Sequence, residues 1–135
     1  VYLGCHHAVP LLRNSGAGVI INTASTAGMK PRPNNATYAA SKAAVIMYTK
    51  ALALELAPDN IRVNAILPVA TMTPLFMGFV GENNDAMVQD IAAMVPLKRL
   101  GDTKDMAACA VVLASAEAEF LTGVCLPVDG GWTAG

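Results

Sequence analysis

Three apolar runs rich in β-branched residues punctuate the chain: Gly18 to Thr23, Ile61 to Leu67 and Gly123 to Val128. Hydrophobicity that is continuous rather than alternating marks a strand buried on both faces, so these runs predict the strands of a parallel sheet. Between them the period changes. Val1 to Arg13, with Leu3, Val9, Leu11 and Leu12, predicts the tail of a helix broken at Asn14-Ser15-Gly16. It begins abruptly with nothing to cap it, and the expectation is that the chain continues a longer protein. Asn35 to Ala57 predicts a long helix, with Asn35 or Thr37 as N-cap and Pro58 just beyond its end. Ala40, Ala44, Val45, Ile46, Met47, Ala51, Leu52, Leu54 and Leu56 leave it almost without a polar face. One side should therefore pack on the sheet and the other on a second helix, either Val1 to Arg13 or a copy from another subunit. Asp85 to Met94 and Asp102 to Ser115 predict further helices, and Pro31 and Pro33 exclude helix from the loop after the first strand. The order helix, strand, helix, strand, helices, strand calls for right-handed crossovers and helices on both faces of the sheet.

Composition narrows the class. The 135 residues, 54% hydrophobic and 14% charged, suit one small domain with a well-buried interior or large subunit contacts, and argue against disorder. A net charge of -1 gives no electrostatic reason to expect nucleic acid or an anionic membrane surface as partner. The longest wholly apolar runs, such as Ala107 to Ala114, fall short of the ~20 residues that span a bilayer. The start lacks the basic-then-apolar layout of a signal peptide. Cys5, Cys109 and Cys125 are odd in number and show no C-x-x-C spacing, so neither a disulfide framework nor a metal site is expected. Reduced thiols in a cytoplasmic protein are the simplest reading.

The candidate chemistry lies between Ser25 and Lys42, which reads STAGMKPRPNNATYAASK. In a helix, Tyr38 and Lys42 stand on one face, four residues apart, so phenol and ammonium can share a pocket. A free tyrosine titrates near pH ~10 and is a poor acid–base at neutrality, whereas a neighbouring cation favours the phenolate. Such a tyrosine can pass a proton to a carbonyl oxygen or take one from an alcohol. A serine hydroxyl beside it can hold the same oxygen, as an oxyanion-hole donor does. Ser25 leaves the first predicted strand at its carboxyl end, where open α/β sheets place their ligands.

The segments VIINTAS, YAASK, RVNAILPVATMT and LTGVCLPVDGG, in this order and at these separations, resemble the classical branch of the short-chain dehydrogenase/reductase family over nearly the whole chain. The resemblance implies an α/β, Rossmann-type doubly wound parallel sheet of which residues 1–135 form the C-terminal half, about three strands with flanking helices. It also implies NAD or NADP as cofactor and interconversion of a secondary alcohol and a ketone. Tyr38 would be the acid–base, Ser25 would hold the substrate oxygen, and Lys42 would support Tyr38 and bond the nicotinamide ribose. Thr23, Ala24, Tyr38, Lys42, Pro68, Val69, Ala70, Thr71 and Thr73 match positions around the nicotinamide half of the cofactor. Val69 departs from the pattern by standing where glycine is usual. Valine disfavours positive φ and close backbone approach, so displaced cofactor contacts or a narrower pocket are expected.

The family's Gly-rich phosphate loop has no counterpart here, and its catalytic asparagine would lie just upstream of Val1, so this piece alone is expected to be inactive. Leu75 to Val95, rich in Met and Phe with a polar Gly81 to Asp85 interruption, matches the family's mobile substrate-covering loop. Flexible methionines suit an apolar substrate, although ordinary helix packing explains them individually as well. Family members commonly pair the two helices discussed above around a two-fold axis, which implies a homo-oligomer, a dimer or tetramer. Two alternatives share the sequence: an epimerase or dehydratase using the same Y-x-x-x-K, and a truncated non-catalytic paralogue serving as an interaction module.

Overall fold

The computed structural model describes residues 1–81 and 84–135. Three parallel strands, β1 (Gly18–Thr23), β2 (Ile61–Pro68) and β3 (Cys125–Val128), stand in the order β1-β2-β3. Five helices surround them: α1 (Tyr2–Ser15), α2 (Ala36–Leu56), α3 (Pro74–Val80), α4 (Asp85–Met94) and α5 (Thr103–Ala114). The chain is thus α/β with a parallel sheet and flanking helices. Glu82 and Asn83, part of the polar interruption noted in the sequence, lie outside the described residues.

Strand β2 is buried along nearly its whole length because it is central. Ile61 and Val63 meet Leu52, Ala53 and Leu56 of α2 and Cys5 of α1, while Ala65 and Leu67 meet Ala24 and Ile46. Burying a side chain such as Leu56 contributes roughly 1.5–3 kcal/mol, so this face holds much of the core. The opposite face of the sheet carries α5. There Arg62 donates to the carbonyls of Leu113 and Ser115, satisfying the orphan groups at the end of α5. Asn64, fully buried, accepts from the N–H of Val124 and donates to the Leu121 carbonyl. Left unpaired it would cost about 1–3 kcal/mol; paired, it seats the approach to β3.

Several expectations shift in detail. Helix α1 runs on to Ser15 and stops at Gly16, whose φ of 77° is the left-handed cap that glycine adopts without strain. Strand β3 starts at Cys125 rather than Gly123, because Gly123 has φ +75 and turns the chain before pairing begins. Pro74–Val80 is helical, which the sequence did not suggest. Thr73 explains it: its hydroxyl accepts from the Phe76 N–H at 3.2 Å with Pro74 in the first turn, a strong start signal.

Helix α2 finds only one of its two expected helix partners within this chain. Helix α1 packs beside its C-terminal half, through Cys5, Val9 and Leu12, and leaves the stripe Ala40, Ala44, Met47, Ala51 and Leu54 uncovered. Met47 is 64% and Leu54 79% exposed. Within this chain one side of α2 is buried, not two.

Candidate active site

Strand β1 ends at Thr23, and Ser25 follows in an extended conformation that opens a short 3-10 turn over Thr26–Gly28. The Ser25 hydroxyl accepts from the Ala27 N–H at 3.2 Å and donates to the Pro68 carbonyl at 3.4 Å. Thr26 donates to that same carbonyl at 3.3 Å. One acceptor at the end of β2 thereby fixes the turn that carries the serine. The turn is also pressed against α2. A Cβ on Gly28 would lie 2.7 Å from the Lys42 carbonyl carbon and 2.8 Å from the Ala43 nitrogen, so only glycine permits this approach.

Tyr38 and Lys42 lie in the first two turns of α2, as the i, i+4 spacing requires. The Lys42 ammonium sits 5.6 Å from the centroid of the Tyr38 ring and donates to the Thr23 carbonyl at 3.3 Å. Lysine, tyrosine and serine therefore converge on the carboxyl end of β1. Ser25 is 9% exposed, whereas Tyr38 is 45% exposed and open to an incoming molecule. A buried hydroxyl two residues past the strand end, an accessible phenol and an ammonium bonded to that strand end are groups that can bind an oxygen and move a proton to or from it.

The loop after β2 completes this end of the sheet. Thr71 is buried, and its hydroxyl donates to the Val69 carbonyl at 2.8 Å, which turns the chain tightly. Thr73 spends its hydroxyl capping α3. Ala24 is buried beside Ala65 and Leu67, so at Ala24, Thr71 and Thr73 it is backbone or local structure that the sequence placed here. Val69 lies outside the left-handed region, so its backbone adopts an angle that valine takes readily. It lines a cavity of about 350 Å³ with Val95, Leu100, Cys109 and Val128, behind the loop.

Sequence reasoning missed three contributors. Thr26 and Gly28 carried a signal, since a small residue three positions after the serine marks a tight packing point, but the partner at Lys42 is visible only in the fold. The third is Trp132, over whose ring lie both Lys30, at 5.0 Å, and Arg32, at 4.3 Å. Among the described residues no three His, Cys, Asp or Glu side chains gather as a metal site would need, and no helix is long and apolar enough to cross a membrane.

Comparison with known proteins gives this geometry a family. Residues 1–133 match the family model described as enoyl-(acyl carrier protein) reductase. The 4-formylbenzenesulfonate dehydrogenase of Comamonas testosteroni is 43% identical over 132 residues, 97% of this chain and 52% of the relative. The crystal structure of 3-ketoacyl-(acyl-carrier-protein) reductase from Brucella melitensis complexed with NADH superposes with a TM-score of 0.89 at 42% identity, covering 98% of this chain and 53% of that one. An oxidoreductase of the short chain dehydrogenase/reductase family from Burkholderia thailandensis gives 0.91 at 32% identity, covering 99% and 52%. The chain spans about half the length of the curated relatives it matches. Its parallel sheet with flanking helices is thus that of known relatives, and the chain belongs to the short-chain dehydrogenase/reductase family.

Proposed function

We propose that this chain supplies the catalytic half of an NAD(P)-dependent oxidoreductase that interconverts a secondary alcohol and a ketone. The observation that supports the reading is Lys42, which bonds the Thr23 carbonyl at the end of β1, two residues before Ser25, and has its ammonium 5.6 Å from the Tyr38 ring centroid. Tyr38 protonates the substrate oxygen in reduction and deprotonates it in oxidation. Ser25, already fixed by Ala27 and Pro68, holds that oxygen in place. Lys42 sets its ammonium beside the Tyr38 ring and binds the cofactor's ribose.

The same strand end fits a nicotinamide cofactor. Lys42 uses one of its three donors on Thr23, which leaves two for ribose hydroxyls. The segments Thr23–Ala24 and Pro68–Thr73 bring backbone groups to the crevice where open α/β sheets bind nucleotides. The Brucella relative, solved with NADH, supports this choice. When bound, the cofactor supplies the hydride. The Gly-rich phosphate loop belongs, on this reading, to residues outside the chain, and residues 1–135 alone are inactive. Leu75, Met77 and Phe79, all exposed on α3, favour a substrate with an apolar body. The uncovered stripe of α2 is the surface on which two copies pair into a homo-oligomer, and sedimentation of the full-length protein tests it: a monomer at micromolar concentration contradicts the pairing. Cys5, Cys109 and Cys125 are free thiols, the state a reducing cytoplasm maintains.

The test is hydride transfer by the full-length protein, followed through the absorbance of reduced nicotinamide with NAD and NADP against a panel of alcohols and ketones. Turnover with one cofactor is expected and fixes its identity. Absence of any cofactor binding would overturn the oxidoreductase reading in favour of an interaction module.

A further inference from the structure

Three facts place a cation at the end of the sheet that carries Ser25. Ser25 bonds the end of β2 at Pro68, and Pro68 pairs with Val128 of β3, so the turn that follows β3 lies at the same end of the sheet as the serine. That turn is built by Asp129, whose carboxylate takes the N–H groups of Gly131 and Thr133 and the Thr133 hydroxyl, and it presents Trp132. Trp132 meets the loop between Ser25 and Tyr38: the Arg32 guanidinium carbon lies 4.3 Å from its ring centroid.

Lys30 and Arg32 play different parts there. Lys30 donates to the carbonyls of Trp132 and Gly135, so its ammonium is spent on tying the C-terminal segment to the loop. Arg32 makes no hydrogen bond or ion pair with any described residue, although it is only partly exposed. A guanidinium stacked on an indole uses its flat face and leaves its in-plane N–H groups facing outward. That edge matches a planar carboxylate or a sulfonate in a bidentate fashion, and the stacking restricts the side chain before any ligand arrives. Asp129, the nearest carboxylate in sequence to Trp132, is committed to its own turn.

We propose that Arg32, preorganised on Trp132, reads an anionic group on the substrate, so that the preferred substrate is an alcohol or carbonyl compound with an apolar body and one carboxylate or sulfonate. The proposal rests on the oxidoreductase reading for the word substrate, but its test reads binding. Calorimetry on the full-length protein with benzenesulfonate and with benzyl alcohol should show the sulfonate binding more tightly. Arg32→Gln should weaken the sulfonate by about 10- to 100-fold and leave the alcohol within about twofold, as expected for loss of a charged hydrogen-bonding partner. The wild-type protein gives an independent check: raising the salt from about 0.05 to 0.5 M should weaken the sulfonate and not the alcohol. Equal affinity for the two ligands, or equal weakening of both in Arg32→Gln, would overturn the proposal, the latter by showing that Arg32 only holds the loop. Failure of the oxidoreductase reading would appear separately, as absence of hydride transfer in a protein that still discriminates the two ligands.

Discussion

The serine turn and helix α3 both border the carboxyl end of the sheet, but they are anchored very differently. Ser25 and Thr26 are buried, share the Pro68 carbonyl, and rest on α2 at a distance only Gly28 allows. Helix α3 exposes Leu75, Met77 and Phe79, with Phe79 77% accessible. Its inward side chains, Phe76 and Val80, join Met87, Val88 and Ile91 of α4 and Leu100 in a cluster separate from the two that hold the sheet. On the proposed function, the groups that hold the reacting oxygen sit on the frame, where a misplacement of about 1 Å can cost on the order of 10²-fold in rate. Groups proposed only to recognise the substrate's body sit on a separable arm.

Substitutions can break this contrast. The largest effect is expected at Lys42, which ties the frame to Tyr38, the proposed acid–base. Lys42→Met should lower kcat by about 10²–10⁴-fold, the usual range for loss of acid–base assistance, and steady-state turnover of the full-length enzyme would measure it. Gly28→Val comes next. The added side chain must push the serine turn off the Lys42–Ala43 backbone, so a loss of about 10²-fold in kcat should accompany a destabilisation of about 1–3 kcal/mol in denaturant melts. On the arm, Phe79→Ala should raise KM for apolar ketones on the order of tenfold while kcat holds. A fall in kcat instead would mean that the arm shares in positioning the reacting groups.

The smallest effect lies away from both regions, at the start of α5. There Arg99, together with the Asp102 N–H, holds the Asp105 carboxyl down to about 2. Because this value is below the ordinary ~3.9, the ionised form is favoured by folding. Its contribution is complete above that ordinary value and is lost as the pH falls through about 2. Acid titration of helix content should show this loss in the wild type and a flatter profile over the same window in Asp105→Asn.

The sheet was legible because each strand is an unbroken apolar run flanked by turn residues, and α2 was legible from its length and from Pro58. Ser25, Tyr38 and Lys42 were legible because helical spacing and a strand end are local facts. What escaped was set by contacts remote in sequence. Gly28 matters only through the backbone at Lys42, Trp132 only through a loop a hundred residues earlier, and the bare face of α2 only through where α1 comes to rest. Helix α3 escaped for a local reason, since a helix of seven residues, Pro74 and Gly78 among them, is too short to show a helical period. At Val69 the loop turns through the Thr71 hydroxyl and not through a left-handed residue, a detail no local pattern announces.

The most direct test of the site is Tyr38→Phe in the full-length protein, with hydride transfer in a single turnover measured alongside the dissociation constant of the nicotinamide cofactor. Removing only the phenolic oxygen should slow transfer by about 10²–10⁴-fold and leave cofactor affinity nearly unchanged. Transfer at the wild-type rate would contradict the assignment of Tyr38 as the acid–base and, with it, the reading of Ser25, Tyr38 and Lys42 as one site.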